Sequence, residues 1–502
     1  MNIEKTYEKF ERLMKRINNL ESIEGKLEWD KFTYIPPKGA EILAKQTGLI
    51  QGIRHEILTS NEMSKYLEEL ESNYDEMNQI QKANFREMKR TYERNVKVPK
   101  DLIEELSEAK SRGYSIWVKA KESSDFSVFE PQLKKFVELQ IKYADYIDSE
   151  KNPYLVLIEE NEPGVGTLDK LIGNFENLKR STIPLIKSIQ DSNVDINRNL
   201  YKKSYSKKKQ MKFSRYISEK IGYDYNRGRI DESIHPFTVG FGPSDVRITT
   251  FFSEKNPLKS IFSTIHESGH GIYSQGLPEK YLFENIGSYR SLGFHESQSR
   301  FYENNIGRSK EFWEFFFPQA KKIFPSQLRE YSVDDFYKVV NEVKPGLIRI
   351  DADELTYNFH IILRTEIEND LINGRIEVSD LPKIWNDNME RYLGIEPKKD
   401  SDGVLQDVHW SCMEMGYFPT YTIGNILASQ IQAKMKKSIK NIDEKIRNGE
   451  FNCIKDWLNK NIHEKGCLYN TQYLVKKVTG SDLDTSHHIK YLTKKFSELY
   501  CL

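Results

Sequence analysis

A mainly α-helical protein with one small β-sheet is what this sequence predicts, and three observations predict it. Apolar residues recur at helical spacing over most of the 502 residues. Strand-like segments are confined to the stretch between Ile234 and Phe252. That stretch runs straight into a further helical pattern carrying His266-Glu267-Ser268-Gly269-His270.

The elements follow in order. Ile3, Tyr7, Phe10, Leu13, Met14, Ile17 and Leu20 form one apolar stripe, and Pro36-Pro37 turns the chain. Helical patterns continue through about 39–59, 76–96, 100–121 and 130–148. The run Glu160-Asn161-Glu162-Pro163-Gly164-Val165-Gly166 reads as a loop, a candidate end for an N-terminal helical layer of about residues 1–160. Helix returns at about 168–190 and 207–221. Residues 236–239 and 246–252 read as short strands joined by Gly240-Phe241-Gly242-Pro243. Asn256 before Pro257 suits a helix start, and Ile261, Phe262, Ile265 and Ile272 then recur at helical spacing. From there the chain reads as almost wholly helical, with no internal repeat or low-complexity tract. The length would fit several average domains, or one large fold with an internal groove. We expect a single catalytic domain over 1–502, with the metal site and groove at about 230–425.

Composition narrows the function classes. Charged residues make up 30% of the chain and balance to zero net charge, so no positive excess is available for nucleic acid. Met1-Asn2-Ile3-Glu4-Lys5 lacks a basic-then-apolar pattern, and we expect no secretory leader. No run of about twenty apolar residues occurs, and no membrane partner is expected. Cys412, Cys453, Cys467 and Cys501 show no paired spacing, as expected of reduced thiols in a cytoplasmic protein.

The chemistry concentrates in the H-E-x-x-H. Residues four apart share a helix face, so His266 and His270 can grip one metal ion. Glu267 beside them is placed to take a proton from an attacking water, as in a zinc peptidase. The plain alternative is an amphipathic helix bearing two unrelated histidines. A catalytic zinc needs a third protein ligand, and spacing alone leaves Glu296, Glu284 and His295 open. A small sheet just before this helix suggests a groove wall whose edge pairs with an extended peptide.

The chain resembles the Taq-carboxypeptidase family of zinc metallocarboxypeptidases through nearly its whole length. Trp29-Asp30-Lys31-Phe32-Thr33 with Pro36, Gly39-Ala40 and Gln46 resembles the family's opening signature, approximately so around Pro37. His235-Pro236-Phe237, Asp245-Val246-Arg247-Ile248-Thr249, the H-E-x-x-H and His295-Glu296-Ser297-Gln298 follow in the family's order. Ile348-Arg349-Ile350-Asp351-Ala352-Asp353 and Gly403-Val404-Leu405-Gln406-Asp407-Val408-His409-Trp410 complete the set.

The resemblance implies an elongated helical metallopeptidase body with a deep groove, and zinc (cobalt a possible substitute) on His266, His270 and Glu296. It implies Glu267 as the proton acceptor and His409 with Tyr421 as oxyanion donors, Tyr417 being the alternative phenol. Arg349 is the implied partner of the substrate carboxylate, and Asp245, Arg247 and Asp353 the implied stop at the groove end. His235 is a candidate contact to substrate backbone. The function so implied is broad-specificity release of single C-terminal residues from peptides with a free carboxylate, by a homodimer. The alternatives are a dipeptidyl or endo-acting oligopeptidase of the same architecture, or a non-catalytic peptide-binding protein.

Overall fold

A computed structural model describes residues 3–502; Met1 and Asn2 of the N-terminal stretch read above lie outside them. The first helix, Ile3–Thr33, buries Tyr7, Phe10, Met14 and Ile17 and runs well past the stripe that announces it. It packs against helices Ala40–Leu58 and Asn61–Ser72. The second of these was not anticipated. It is a short helix started by Ser60, whose hydroxyl accepts the Met63 N–H at 3.2 Å. Tyr7, Phe10, Leu67, Leu70, Phe85 and Met88 belong to a small apolar core of these first helices. A second, much larger core gathers residues from Val98 to Tyr500. Helices Gln79–Val96, Lys100–Ser123, Glu130–Asp148, Leu168–Gln190 and Lys207–Ile221 stand where their periodicity predicts. Pro153–Asn161 adds another short helix, capped by Asn152 with proline at its first position.

The sheet has three strands rather than two: β1 (Gly228–Glu232), β2 (Thr238–Gly240) and β3 (Val246–Thr250). Their order is β1-β3-β2, with β1 parallel and β2 antiparallel to the central β3. β1 escapes a sequence reading because Gly228-Arg229-Ile230-Asp231-Glu232 offers one apolar residue. β3 ends at Thr250, two residues short of the strand expected to run to Phe252. Register sorts the two faces of the sheet. Thr238 pairs with Ile248, and Thr238 bonds the metal-motif helix Pro257–Gln275, so this face looks toward that helix. Arg229 and Val239 pair with Arg247 on the other face, against the first helix, where Trp29 meets Phe237 edge-on at 5.4 Å between ring centroids.

Helix Pro257–Gln275 begins where Asn256 was expected to cap it, but the Asn256 side chain makes no cap bond. It packs against helix Leu292–Arg300, which in turn packs against Pro419–Ser438. Among the described residues no helix is long and apolar enough to cross a membrane.

Candidate active site

The three ligand residues of the expected metal site come together. His266 and His270 project from one face of their helix, and Glu296 reaches them from the neighbouring one. Glu296 Oε2 lies 3.5 Å from His266 Nε2 and 3.4 Å from His270 Nε2. Two ligands of one tetrahedral zinc, each bonded at 2.0–2.1 Å, sit about 3.3 Å apart, so the donor set fits such an ion. Two glycines make this approach possible. A Cβ on Gly269 would come within 2.7 Å of Gln298 O and Ser299 Cα, and one on Gly424 within 2.6 Å of Glu296 Cγ. Of the other candidates, Glu284 is bound to Asn84 at 2.9 Å and Lys15 at 3.1 Å, outside the cluster. His295 stacks on His270, 4.4 Å between centroids, and its Nε2 meets the Ser274 hydroxyl at 3.2 Å.

Buried carboxylates and arginines orient the ligands. Beyond Arg300 the helix widens into a π-helical turn, Phe301–Ile306, and this turn carries Glu303. Glu303 Oε2 lies 2.8 Å from His266 Nδ1, which leaves Nε2 free for a metal. Burial alone would raise the Glu303 carboxyl; Arg300, His266 and Arg308 outweigh it and hold it at about 2. Arg300 Nε donates to Glu296 Oε1 at 2.5 Å, and the Ser299 hydroxyl donates to Oε2 at 2.8 Å. His270 Nδ1 has no such partner and is held by its stack with His295. Glu267 stands between the metal ligands and the sheet, its Oε2 accepting the Thr238 hydroxyl at 2.7 Å. An edge strand therefore orients the expected proton acceptor.

The second half of the site is built around Asp407. Its Oδ1 accepts from Arg349 Nε at 3.0 Å and Nη2 at 2.8 Å, and its Oδ2 from Arg364 Nε at 2.6 Å. Burial disfavours the Asp407 charge, but the two guanidinium groups hold its carboxyl far below the ordinary range. Two arginines on one carboxylate leave one excess positive charge. Arg349 Nη1 also donates to the Tyr357 hydroxyl at 3.2 Å, and its guanidinium lies 5.2 Å from the Tyr421 ring centroid. Burial, with Arg349 beside it, lowers the His409 imidazole to about 4, so the ring is neutral near pH 7. His409 Nε2 lies 3.4 Å from the Tyr421 hydroxyl, while Tyr417 touches the His409 ring at 5.5 Å between centroids. Glu368 fastens this segment from behind. It accepts Trp410 Nε1 at 2.8 Å, the Gly416 N–H at 2.9 Å and the Tyr154 hydroxyl at 2.8 Å.

The residues expected at the groove end have partners of their own. Asp245 receives both Arg247 Nε, at 2.9 Å, and Nη2, at 3.0 Å, on the face of the sheet turned to the first helix. Asp353 accepts four hydrogen bonds, from Lys344 N, Leu355 N, Thr356 N and the Thr356 hydroxyl, all within 3.0 Å. Those bonds tie together the loop that carries Arg349. His235 is exposed on the β1–β2 connection, its carbonyl accepting from the Ser233 hydroxyl at 2.7 Å. Thr238, Glu303, Arg364 and Glu368 were not anticipated. Only Glu296–Arg300, four residues apart on one helix, left a trace in the sequence.

Comparison with known proteins agrees with this fold. The sequence profile of the carboxypeptidase Taq (M32) metallopeptidase family matches residues 9–496. Carboxypeptidase 1 of Bacillus subtilis is 38% identical over 498 residues, 99% of each chain. Thermostable carboxypeptidase 1 of Pyrococcus furiosus is 38% identical over 472 residues, 94% of each. The crystal structure of an M32 carboxypeptidase from Deinococcus radiodurans superposes with a TM-score of 0.96 at 32% identity, covering 99% of this chain and 100% of that one. Fold and relatives agree, and three residues that could hold a divalent metal stand together: the chain belongs to the carboxypeptidase Taq (M32) family of metallopeptidases and is a metallocarboxypeptidase.

Proposed function

We propose that the enzyme uses zinc, with cobalt as a competent substitute, to release single C-terminal residues of broad character from peptides. The observation that carries this reading is the pairing of a three-ligand metal cluster with a buried, singly positive Arg349–Asp407–Arg364 group. His266, His270 and Glu296 would hold the ion. Zinc, when bound there, supplies a Lewis acid that brings the pKa of water toward neutrality. Glu267, oriented by Thr238, accepts the proton of the attacking water and passes it to the leaving amine. The oxyanion that develops needs a donor. Tyr421 is our choice over Tyr417, because its hydroxyl has the neutral His409 imidazole as partner.

Arg349 binds the terminal carboxylate, with Arg364 and Asp407 fixing its orientation. Asp353 acts by shaping the Arg349 loop, Asp245 and Arg247 by fastening the sheet to the first helix, and His235 by reaching substrate backbone from its exposed turn. We further propose one catalytic domain over the chain, a cytoplasmic location and a homodimeric state.

Timed mass spectrometry of one peptide and its C-terminal amide, with and without chelator, tests the reading. We expect a ladder of single-residue losses from the free acid alone, abolished by chelator and restored by zinc or cobalt. Dipeptide or internal cuts would move the enzyme to the oligopeptidase reading.

A further inference from the structure

Glu162, in the loop after helix Pro153–Asn161, has no part in the chemistry above, yet it is completely buried. Its Oε1 accepts the Gly293 N–H, in the first turn of the helix that carries Glu296. The same oxygen accepts the Thr420 hydroxyl at 3.1 Å, in the first turn of the helix that carries Tyr421. Its Oε2 makes no hydrogen bond. The carboxylate has little room to swing, since a Cβ on Gly293 would come within 2.8 Å of either oxygen.

Beside it opens a cavity of about 320 Å³, lined at depth by Glu162, Ser291, Leu171, Phe294, Leu427 and Val475 and on its exposed side by the charged Lys170 and Asp482. The guanidinium most strongly felt by Glu162, that of Arg290, is committed to Glu87 at 2.6 and 2.8 Å. The site thus offers a buried carboxylate served by hydroxyl and backbone donors but by no cation of its own, at one end of a space that is apolar in its depth and large enough for a small ligand. A carboxylate has acceptor capacity only, and its strongest partner is a charged N–H donor.

We propose that this cavity binds a small aliphatic primary ammonium compound, its N–H donors on Glu162 Oε2 and its carbon chain along Leu171, Phe294, Leu427 and Val475. Burial pushes the Glu162 carboxyl up to about 7 despite Ser291, Gly293 and Thr420, as expected where a cationic partner is wanting. The inference goes beyond the peptidase reading, and its test reads binding rather than turnover.

The probe is n-pentylamine, titrated calorimetrically into the metal-loaded protein. Two variants accompany it. Glu162→Gln removes the charge. Gly173→Phe places a bulky ring at the exposed mouth of the cavity, where an added Cβ meets nothing within 4 Å. The expected result is saturable one-to-one binding to the wild type, weakened at least tenfold in Glu162→Gln and weakened in Gly173→Phe, with no binding of n-pentanoate. Gly173→Phe is expected to keep its rate of peptide hydrolysis, which shows that it folds and decides the matter if Glu162→Gln does not fold. Absence of saturable binding to the wild type would mean a cavity for water only and overturn the proposal. Equal binding to the wild type and Gly173→Phe would place the amine elsewhere and overturn it too.

Discussion

Glu303→Gln is the perturbation that best separates the metal ligands from what holds them. The substitution keeps the volume of Glu303 and an oxygen that can face His266 Nδ1, now 2.8 Å from the carboxylate, but removes the charge. Carboxylate partners of metal-bound histidines contribute a factor of about 10–100 in metal affinity, or about 1.4–2.7 kcal/mol. Arg300 and Arg308 lose an anion at 3.2 and 3.4 Å, but each keeps another acceptor, Glu296 for Arg300 and the Val340 carbonyl for Arg308. The fold should therefore survive. The assay is reactivation of chelator-stripped enzyme by zinc at fixed free-ion concentrations, read as peptide hydrolysis. We expect the midpoint to move 10–100-fold toward higher zinc while the plateau stays within a few-fold of wild type. A midpoint at the wild-type concentration would refute the orienting role of Glu303. A normal midpoint with a collapsed plateau would give Glu303 a part in the reaction instead.

Three further changes test the rest of the site. Glu267→Ala should leave zinc content intact and lower turnover by several orders of magnitude, measured as kcat alongside metal analysis. Thr238→Val removes a 2.7 Å bond to a charged oxygen worth about 1.5 kcal/mol, so kcat should fall about tenfold with KM unchanged, and Thr238→Ser should restore it. Glu368 tests linkage to pH. Burial raises its carboxyl from 4.5 to about 7, despite the donors Gly416, Trp410 and Tyr154. The native state therefore keeps a proton that the unfolded chain gives up above pH 4.5, and Glu368 costs stability progressively as pH rises toward 7. Relative to wild type, Glu368→Gln should gain about 3 kcal/mol in unfolding free energy between pH 4.5 and 8. Parallel denaturation curves at the two pH values would contradict this.

The long helices were legible because each buries one stripe against a neighbour, and a stripe is a local pattern. Asn61–Ser72, Pro153–Asn161 and β1 were not. They are short, and their ends are set by caps and by pairing with β3. His266, His270 and Glu267 were legible for the same local reason, all three lying within five residues of one helix. Glu296 needed the family resemblance, since nothing in its spacing separates it from Glu284 or His295. Thr238, Glu303 and Glu368 act across gaps of 29, 37 and up to 214 residues, through side-chain bonds that exist only once the helices have packed. The same limit applies to Asp353. Its motif marked it as important, but only the folded loop showed its carboxylate filled by four donors.

The spacing of the candidate metal ligands is set by backbone approach, and the two crossing-point glycines should therefore both resist the same substitution. Either glycine changed to alanine gains up to about 1 kcal/mol of helix propensity, so any loss has to come from the contact made by the added methyl. At Gly424 that methyl meets the Glu296 Cγ at 2.6 Å, which can turn aside only by carrying the carboxylate with it, and the Glu296 Cβ at 2.9 Å, which yields only if the helix backbone moves. At Gly269 it meets Gln298 O and Ser299 Cα at 2.7 Å, backbone atoms that can yield only if the whole Leu292–Arg300 helix moves. Overpacking of this kind costs about 1–3 kcal/mol. Both substitutions should accordingly weaken zinc binding and lower the unfolding midpoint, Gly424→Ala by displacing the Glu296 side chain as well as its helix and Gly269→Ala through the helix alone. If Gly269→Ala bound zinc as tightly as wild type, the ligand geometry would not depend on the close crossing of these helices, and Gly269 would be a glycine of convenience.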